Sequence, residues 1–470
     1  MKYISTRSHA AELSFEEVVL QGLATDGGLY VPEFLPSFSA KDLQHLRHLS
    51  YEELFFEVTK HFIGSEIDAK AYREIIRKSY ASPFSHPAVA PLKQLAANEF
   101  ILELFHGPTL AFKDFALQFL GNLLDYFLQK CDEKIAIIGA TSGDTGSAAI
   151  QGCGACKNAQ IFILHPHQKV SEVQRRQMTS VFADNVFNIA LEGNFDDCQA
   201  MVKKMFGDQE FLGGRRMVAV NSINFARIMA QIVYYFYAAL RLGASDSNPV
   251  SFSVPTGNFG DIYAGFLAKK MGLPIKHLIV ATNSNDILAR FINSNNYSKH
   301  EMIETISPSM NIQVSSNFER LLFDIHKDLK SEKKLAKLMQ NFEQTGALKV
   351  EEEILERIKK TFAAYAIDDA ETKKTIAKTY HETAEIVDPH TAIAIAASKK
   401  FMQSNLYEGE FVVNLATAHP AKFPDAITDS GAPQPLLPSF LQDLFTRKER
   451  YEILANDLNL VTNFIAKNIK

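Results

Sequence analysis

A lysine that opens an apolar helical segment is the first candidate for chemistry. Lys113 closes the run His-Gly-Pro-Thr-Leu-Ala-Phe-Lys at 106–113, and apolar residues at helical spacing follow it to residue 128. The start of a helix is electropositive, so a protonated lysine is disfavoured there unless it is exposed or its charge is used. Desolvation would lower the pKa of such an amine, as a Schiff-base or proton-shuttling lysine requires. The alternative is a surface lysine flanked by Asp114.

A glycine-rich turn at 139–147 separates a short apolar segment from a helical one. Its glycines let the backbone approach a ligand, and the helix start directs free N–H groups toward an anion. Ser142 and Thr145 add hydroxyl donors. The turn matches neither the dinucleotide pattern nor a Walker loop, since no lysine follows its last glycine. A carboxylate or phosphate site is therefore favoured over a plain tight turn.

A second turn of this kind lies at 255–261. Thr256, Gly257 and Asn258, together with Gly260, can form a nest of backbone N–H groups that binds a phosphate. Asp261 could instead cap the helix that follows, which leaves a purely structural turn open. Two similar turns in one chain strengthen the phosphate interpretation of each.

These three segments need strands and helices to position them. Apolar segments indicate strands at 100–104, 134–138, 161–164, 187–191, 217–220, 250–254, 277–282 and 410–415. They alternate with helical patterns, which predicts an α/β fold with mostly parallel sheets flanked by helices. In such sheets, ligands lie at the carboxyl ends of the strands, on loops that enter helices. All three candidate segments occupy loops of this kind.

The chain has 470 residues, which exceeds the length that a single hydrophobic core can accommodate. Several domains are therefore expected. Prolines at 83, 87 and 91 suggest a first boundary. The predicted division is a helical N-terminal region (1–92), a smaller α/β domain with the candidate lysine (93–225), a larger α/β domain (226–435) with a charged helical insertion at about 321–383, and a helical C-terminal tail (436–470).

Charge and hydropathy exclude several classes of partner. The net charge of −5, from 49 basic and 54 acidic side chains, is too weak to indicate a nucleic-acid or anionic-membrane partner. The N-terminus has no apolar signal segment. The longest apolar stretch, 228–240, is too short to span a bilayer and indicates a buried helix. The sequence therefore predicts a cytoplasmic protein without a membrane or nucleic-acid partner.

Four cysteines are too few for a disulfide scaffold in a chain of this length. Cys153 and Cys156 form a CxxC pair followed by His165 and His167, but this spacing is not that of a zinc finger. Packing as small residues is favoured over a metal or redox role, and no metal site is predicted.

Long motifs along nearly the whole chain resemble those of one known family. The matching segments are 25–32, 105–114, 140–146, 255–260, 309–312, 315–320 and 416–423. They resemble the threonine synthases, which belong to the tryptophan-synthase-β-like group of fold type II pyridoxal phosphate enzymes. The resemblance implies two α/β domains with pyridoxal 5'-phosphate in the cleft between them.

The resemblance also implies roles for individual residues. Lys113 would bind the cofactor covalently and then shuttle protons at Cα and Cβ of the substrate. Thr417 would face the pyridine nitrogen, where a hydroxyl can donate a hydrogen bond but cannot keep the ring protonated. The remaining implied contacts are Gly257, Asn258, Phe259, Gly260 and Asp261 to the cofactor phosphate, Ser142, Gly143 and Thr145 to the substrate carboxylate, and Asn221, Ser222 and Arg227 to the substrate phosphate.

Asp144 departs from the wider group, in which many relatives have asparagine at this position. That amide contacts the phenolic oxygen of the cofactor. A carboxylate beside a phenolate is repulsive unless one group is protonated or the side chain turns away. The resemblance therefore places Asp144 at the cofactor without defining its contact.

The implied reaction converts O-phospho-L-homoserine and water to L-threonine and phosphate, by elimination of phosphate from Cγ and addition of water at Cβ. The substrate is then a small molecule, and the enzyme is a monomer or a homodimer. One alternative is another lyase of the same cofactor group, such as a threonine or serine dehydratase, which has no substrate phosphate for Arg227 to bind. The others are a non-catalytic protein that binds pyridoxal phosphate, and a nucleotide-dependent enzyme.

Overall fold

The computed structural model describes residues 1–218 and 222–469. The α-helices are, in chain order, α1 (Phe15–Gln21), α2 (Ala40–Leu46), α3 (Tyr51–Ile63), α4 (Ala69–Tyr80), α5 (Lys113–Cys131), α6 (Asp144–Cys153), α7 (Glu172–Thr179), α8 (Phe195–Gly207), α9 (Phe225–Arg241), α10 (Gly260–Lys270), α11 (Ile287–Ser294), α12 (Phe318–Asp328), α13 (Lys333–Thr345), α14 (Glu352–Lys359), α15 (Asp369–Thr383), α16 (Pro389–Met402), α17 (Pro424–Thr428) and α18 (Leu458–Asn468). The strands are β1 (Tyr3–Ser5), β2 (Tyr30–Pro32), β3 (Leu92–Ala96), β4 (Glu99–Glu103), β5 (Ile135–Ala140), β6 (Ala159–Pro166), β7 (Val186–Glu192), β8 (Arg216–Val218), β9 (Val250–Pro255), β10 (Ile275–Thr282), β11 (Tyr297–Ser298), β12 (Ala347–Leu348), β13 (Phe362–Ala366), β14 (Phe411–Ala416) and β15 (Glu452–Ala455).

The larger sheet has six strands in the order β13-β10-β9-β14-β4-β3. All neighbours are parallel except the edge pair β3–β4, which is antiparallel. Both faces of the sheet are covered, as a parallel sheet requires. In β10, Leu278 and Val280 pack into the core shared with α9 and α10, whereas Ile279 and Ala281 pack into the core shared with α16.

The smaller sheet has five parallel strands in the order β15-β7-β6-β5-β8. In β5, Ile135 and Ile137 face the core that includes α5 and α6, and Ala136 and Ile138 face the core that includes α8 and α18. The predicted fold class is confirmed: both sheets are mostly parallel and flanked by helices. Of the strand predicted at 217–220, residues 219 and 220 lie outside the described part of the chain.

The division of the chain between the sheets differs from the predicted one in three places. Strand β4, expected in the smaller domain, pairs with β14 in the larger sheet, with Leu102 opposite Leu415. The segment 321–383 is largely helical but contributes β13, which extends the larger sheet. The C-terminal tail contributes β15, which pairs with β7. Each of these pairings joins segments that are far apart in sequence or too short to show a strand pattern of their own.

Helices α5 and α6 touch through their backbones. A Cβ atom at Gly121 would lie 2.0 Å from the carbonyl oxygen of Gly152, and one at Gly152 would lie 2.2 Å from the carbonyl oxygen of Leu117. Only glycine permits this approach at either position. Because α5 follows a strand of the larger sheet and α6 follows a strand of the smaller sheet, the contact joins the two halves of the molecule and places Lys113 and Asp144 side by side.

The N-terminal region is anchored to the rest of the chain by a buried carboxylate. Thr6 and Arg7 follow β1, and both contact Glu319 in the first turn of α12. Thr6 Oγ1 donates to Glu319 Oε1 over 2.6 Å, and the guanidinium of Arg7 donates to both carboxylate oxygens over 3.1 Å. A carboxylate at a helix start also complements the helix dipole. The anchor thus holds residues 5–7 against the start of α12. The residues just before this helix, Ser315 and Asn317, support the 255–261 turn.

The apolar stretch 228–240 lies within α9, which is buried on all sides between α3, α5 and α10. It is therefore the buried helix that the sequence predicts. Across residues 1–218 and 222–469, no helix combines the length and the apolar character needed to cross a bilayer.

We expect one of the four cysteines to react rapidly with an aromatic disulfide reagent in the folded protein. Cys131 is exposed, whereas Cys153, Cys156 and Cys198 are buried. Burial raises the pKa of the Cys156 and Cys198 thiols to about 12 and that of Cys153 further, which suppresses the reactive thiolate. A thiol titration should detect one reactive group in buffer and four in concentrated urea. Two or more rapidly reacting thiols in buffer would contradict this prediction.

Candidate active site

One cavity lies where the carboxyl ends of both sheets meet. It is bordered by the first turns of α5, α6, α9 and α10, so four helix starts converge on it. Such convergence favours a ligand with negative charge. The predicted site residues that line the cavity are Lys113, Asp144, Thr145, Ser222, Arg227, Gly257, Asn258, Phe259, Gly260, Asp261 and Thr417.

Two of the predicted site residues that the structure describes are not among those that line the cavity. Ser142 and Gly143 come just before α6, at the edge of the site. The backbone N–H of Gly143 donates to Thr141 Oγ1 over 2.9 Å, so this amide already has an acceptor. Gly143 has a φ of 135°, which favours glycine. Asn221 lies outside the residues that the structure describes.

The amine of Lys113 is buried in the cavity. Its Nζ lies 3.3 Å from Asp144 Oδ2 and 4.8 Å from the centre of the Phe112 ring. Burial lowers the pKa of Lys113, and the charges of Lys422 and Arg227 lower it further, against the opposing effect of Asp144. The interpretation of Lys113 as an exposed surface lysine is wrong, because only 13% of its side chain is accessible.

Four described side chains converge on the carboxylate of Asp144. Its carboxylate contacts Lys422 Nζ at 2.8 Å, Gln174 Nε2 at 2.9 Å, Ser309 Oγ at 2.9 Å and Lys113 Nζ at 3.3 Å. Burial alone would raise the pKa of this carboxyl, but the charges of Lys422 and Lys113 hold it well below its usual range. The Asp144 carboxylate therefore lies between two buried amines, those of Lys422 and Lys113.

The 255–261 turn presents the start of α10 to the cavity. Phe259 adopts the left-handed conformation, with a φ of 62°, immediately before the helix begins at Gly260. Behind the turn, Ser315 Oγ donates to the carbonyl of Gly257, and the backbone and side-chain N–H groups of Asn317 donate to the carbonyl of Asn258. The carbonyls are thus held away from the cavity, while the N–H groups of the first helical turn have no intrahelical acceptor.

The side chain of Asp261 faces α9 rather than a ligand. Its Oδ1 accepts hydrogen bonds from Tyr234 (2.5 Å) and Tyr235 (2.8 Å). Burial raises the pKa of Asp261 to about 6, although both tyrosine hydroxyls and the charge of Lys113 oppose the rise. A carboxylate beside a phosphate would repel it, so any contact of Asp261 with an anion is expected through its backbone N–H.

We expect Asp261→Asn to flatten the dependence of stability on pH in the cofactor-free protein. The pKa of Asp261 is raised from 3.8 in the unfolded chain to about 6 in the folded one. The free energy of unfolding therefore decreases as pH rises from about 4 to about 6, and it is not recovered at higher pH. Between pH 5 and pH 8 this group costs about 1–2 kcal/mol. Urea unfolding at both pH values measures the difference, and an unchanged pH dependence in the variant would contradict the assignment.

Sequence patterns missed several residues that complete the site. Lys422 and Ser309 lie inside motifs that carried the family resemblance, which is the only signal that could have found them. His390 and Gln174 had no such signal. His390 Nδ1 lies 2.6 Å from Asp388 Oδ2, and its Nε2 accepts a hydrogen bond of 3.2 Å from the backbone of Ser309. This chain of contacts fixes the serine that donates to Asp144.

The residues of the cavity fit pyridoxal phosphate. A buried amine with a lowered pKa suits an aldehyde, because its neutral form is the nucleophile. The start of α10 and the turn before it suit a phosphate. Thr417, which is buried, supplies a hydroxyl rather than a carboxylate to the same cavity. An aldehyde and a phosphate on one small molecule would engage the two sides of this cavity together.

Comparison with known proteins matches this chain from end to end. Three family models cover residues 2–80 (Threonine synthase N terminus), 86–345 (Pyridoxal-phosphate dependent enzyme) and 391–465 (Threonine synthase, C-terminal). The threonine synthase of Pseudomonas aeruginosa is 55% identical, with 100% of this chain and 98% of that protein covered. The threonine synthase of Saccharomyces cerevisiae is 41% identical, with 99% and 98% covered.

A solved structure agrees with this match. The crystal structure of threonine synthase from Brucella melitensis with bound pyridoxal phosphate superimposes with a TM-score of 0.96, at 48% identity and with 100% of both chains covered. Sequence identity and fold thus agree over the full length of the chain. The chain therefore belongs to the threonine synthase family of pyridoxal-phosphate-dependent enzymes.

Proposed function

We propose that this chain converts O-phospho-L-homoserine and water to L-threonine and inorganic phosphate, with pyridoxal phosphate bound to Lys113. The observation that carries the proposal is that a buried amine, an anion-binding helix start and a buried guanidinium line a single cavity. The family membership of the chain supports the same reaction. A dehydratase of the same fold would need no guanidinium for a substrate phosphate.

Lys113 is the residue that binds the cofactor and then moves protons. Its amine lies inside the cavity, and burial lowers its pKa, which favours the neutral form that can accept a proton. The amine handles one proton at a time: the proton taken from Cα is returned to Cα when threonine forms, and the proton taken from Cβ is balanced by protonation at Cγ after phosphate leaves. The bound cofactor supplies the electron sink for the charge that remains at Cα. The backbone N–H groups of 257–261 would hold the cofactor phosphate at the start of α10, on the side of the cavity opposite the Lys113 amine.

Thr417 orients the ring through its hydroxyl. It lies at the end of β14, and its carbonyl accepts a hydrogen bond of 2.9 Å from the backbone N–H of Phe112, next to Lys113. A hydroxyl can donate to a neutral ring nitrogen but cannot keep it protonated. This weakens the electron sink, which suits a reaction in which phosphate must leave and water must add without a long-lived carbanion.

The substrate carboxylate is assigned to the start of α6. Ser142, Gly143 and Thr145 surround the first turn of this helix, whose dipole and N–H groups favour an anion. Since the amides of Gly143 and Gly146 both donate to Thr141 Oγ1, the hydroxyls of Ser142 and Thr145 and the amides of Asp144 and Thr145 are the expected donors.

The substrate phosphate is assigned to Arg227, Ser222 and Asn221. Arg227 lies in the first turn of α9, is buried, and borders the cavity together with Ser222. Burial lowers the pKa of Arg227 to about 10, so it remains charged at neutral pH. A buried guanidinium gives a phosphate two parallel hydrogen bonds. Ser222 Oγ lies 3.0 Å from Ser316 Oγ, which orients its hydroxyl.

Incubation of the purified protein with O-phospho-L-homoserine tests the assignment. We expect threonine and phosphate to appear in equal amounts. Homoserine without the phosphate is the matched control substrate and should give no threonine. Release of 2-oxobutyrate in place of threonine would identify the dehydratase alternative instead. We further propose a cytoplasmic monomer or homodimer without a nucleic-acid or membrane partner.

A further inference from the structure

A second lysine of the site is buried more deeply than Lys113. Lys422 ends a turn of 3-10 helix at Pro420–Lys422, and none of its surface is accessible. Its Nζ lies 2.8 Å from Asp144 Oδ1 and donates to the carbonyl of Thr109 over 2.8 Å. Burial of a charged amine is unfavourable unless the amine is paired, so the position of Lys422 depends on Asp144.

Asp144 is shared between the two lysines. Lys422 contacts Oδ1 and Lys113 contacts Oδ2, so one carboxylate faces two amines. When Lys113 is protonated, the three groups carry a net charge of +1. When Lys113 is neutral, Asp144 and Lys422 remain as a compensated ion pair. Loss of the proton from Lys113 therefore leaves no unpaired charge among these three groups.

We propose that Lys422 is a positioning residue that compensates the Asp144 carboxylate and so allows the Lys113 amine to be neutral. The proposal rests on the assignment of Lys113 as the residue that binds the cofactor. Without Lys422, the buried carboxylate would have Lys113 as its remaining cationic contact, and a buried ion pair of this kind would hold the proton on Lys113. The Lys113 amine would then remain protonated beside Asp144 and could not act as a nucleophile.

Other charged groups that face Lys113 do not replace Lys422 in this role. Arg227 of α9 disfavours the protonated amine but does not contact Asp144 in the described structure. Asp261 of α10 favours the protonated amine only when ionised, and its carboxyl is engaged by tyrosine hydroxyls. His390 of α16 is bound to Asp388 and acts on Asp144 only through Ser309.

The test follows covalent uptake of pyridoxal phosphate by the cofactor-free, full-length chain. Uptake joins the neutral amine to the aldehyde with loss of one water molecule, so its limiting rate at saturating cofactor reports the neutral fraction of Lys113. In Lys422→Met we expect this rate at pH 7 to fall about tenfold or more, and its pH midpoint to rise. In Asp144→Asn the midpoint should fall, because Lys422 then repels the protonated amine without compensation.

The double variant Asp144→Asn/Lys422→Met removes both charges and is the matched control. The pH midpoint of uptake in the double variant should return close to that of the wild type. The midpoint of Lys422→Arg, which keeps the charge, should also lie close to the wild-type value. A Lys422→Met profile that superimposes on the wild type, or a double variant shifted as far as Lys422→Met, would overturn the proposal. Failure of the wild-type chain itself to take up the cofactor covalently would instead refute the assignment of Lys113.

Discussion

Lys113→Ala is expected to lose all measurable threonine synthesis, a fall in kcat/KM of about 10³-fold or more. Among the described residues that line the cavity, Lys113 carries the only lysine amine, and the nearby Lys422 is held by Asp144 and the carbonyl of Thr109. The variant should also release pyridoxal phosphate on dialysis, because noncovalent contacts alone remain. The visible absorbance of the cofactor before and after dialysis, and threonine formation from O-phospho-L-homoserine, measure the two effects.

Lys130→Ala is the matched control for this variant. Lys130 lies at the other end of the same helix, is half exposed, and forms a surface ion pair of 2.7 Å with Glu16. Such a pair contributes at most about 1 kcal/mol to stability, so activity and cofactor retention should equal those of the wild type. A Lys113→Ala protein that keeps a covalently bound, visibly absorbing cofactor would refute the assigned role.

Arg227→Met is expected to reduce kcat/KM for O-phospho-L-homoserine by about 10²–10³-fold, through loss of two charge-assisted hydrogen bonds to the substrate phosphate. The expected change lies mainly in KM if the contact is equal in the ground and transition states, and in kcat if it strengthens as phosphate leaves. Inorganic phosphate should inhibit the wild type by competition with substrate, and this inhibition should be weakened by a similar factor in the variant.

Arg241→Met provides the control on the opposite end of α9. Its guanidinium donates to the carbonyls of Arg47 and Leu49, far from the cavity. The substitution should leave KM and the inhibition constant of phosphate unchanged. If phosphate inhibits Arg227→Met as strongly as the wild type, the substrate phosphate is bound elsewhere. Cofactor absorbance of Arg227→Met should be normal, which separates a substrate effect from loss of the cofactor.

The sequence carried most of the information about where chemistry occurs. Lys113 and the turns at 139–147 and 255–261 each stand out locally, because a charged group or a glycine cluster interrupts an apolar pattern. The structure brings all three together at one cavity, as expected for loops at the carboxyl ends of parallel strands. Local pattern was sufficient here because each segment leads from the end of a strand into the first turn of a helix.

What the sequence could not supply is the pairing of distant segments. The place of β4 beside β14 and of β15 beside β7 depends on packing between regions hundreds of residues apart. The contacts of Asp144 could not be predicted from the sequence for the same reason. Its partners Lys422 and Gln174 come from other elements, and no property of residues 139–147 shows that a buried lysine will neutralise the carboxylate.

The backbone contact between Gly121 and Gly152 also bears on the spacing of two charged groups of the site. Lys113 and Asp144 begin the two helices that meet there, and bulk at either glycine would push the helix axes apart. The amine and the carboxylate are therefore carried by two helices in direct backbone contact, even though these helices follow strands of different sheets. A side chain added at Gly121 or Gly152 would separate the helix starts and so lengthen the distance between the Lys113 amine and the Asp144 carboxylate.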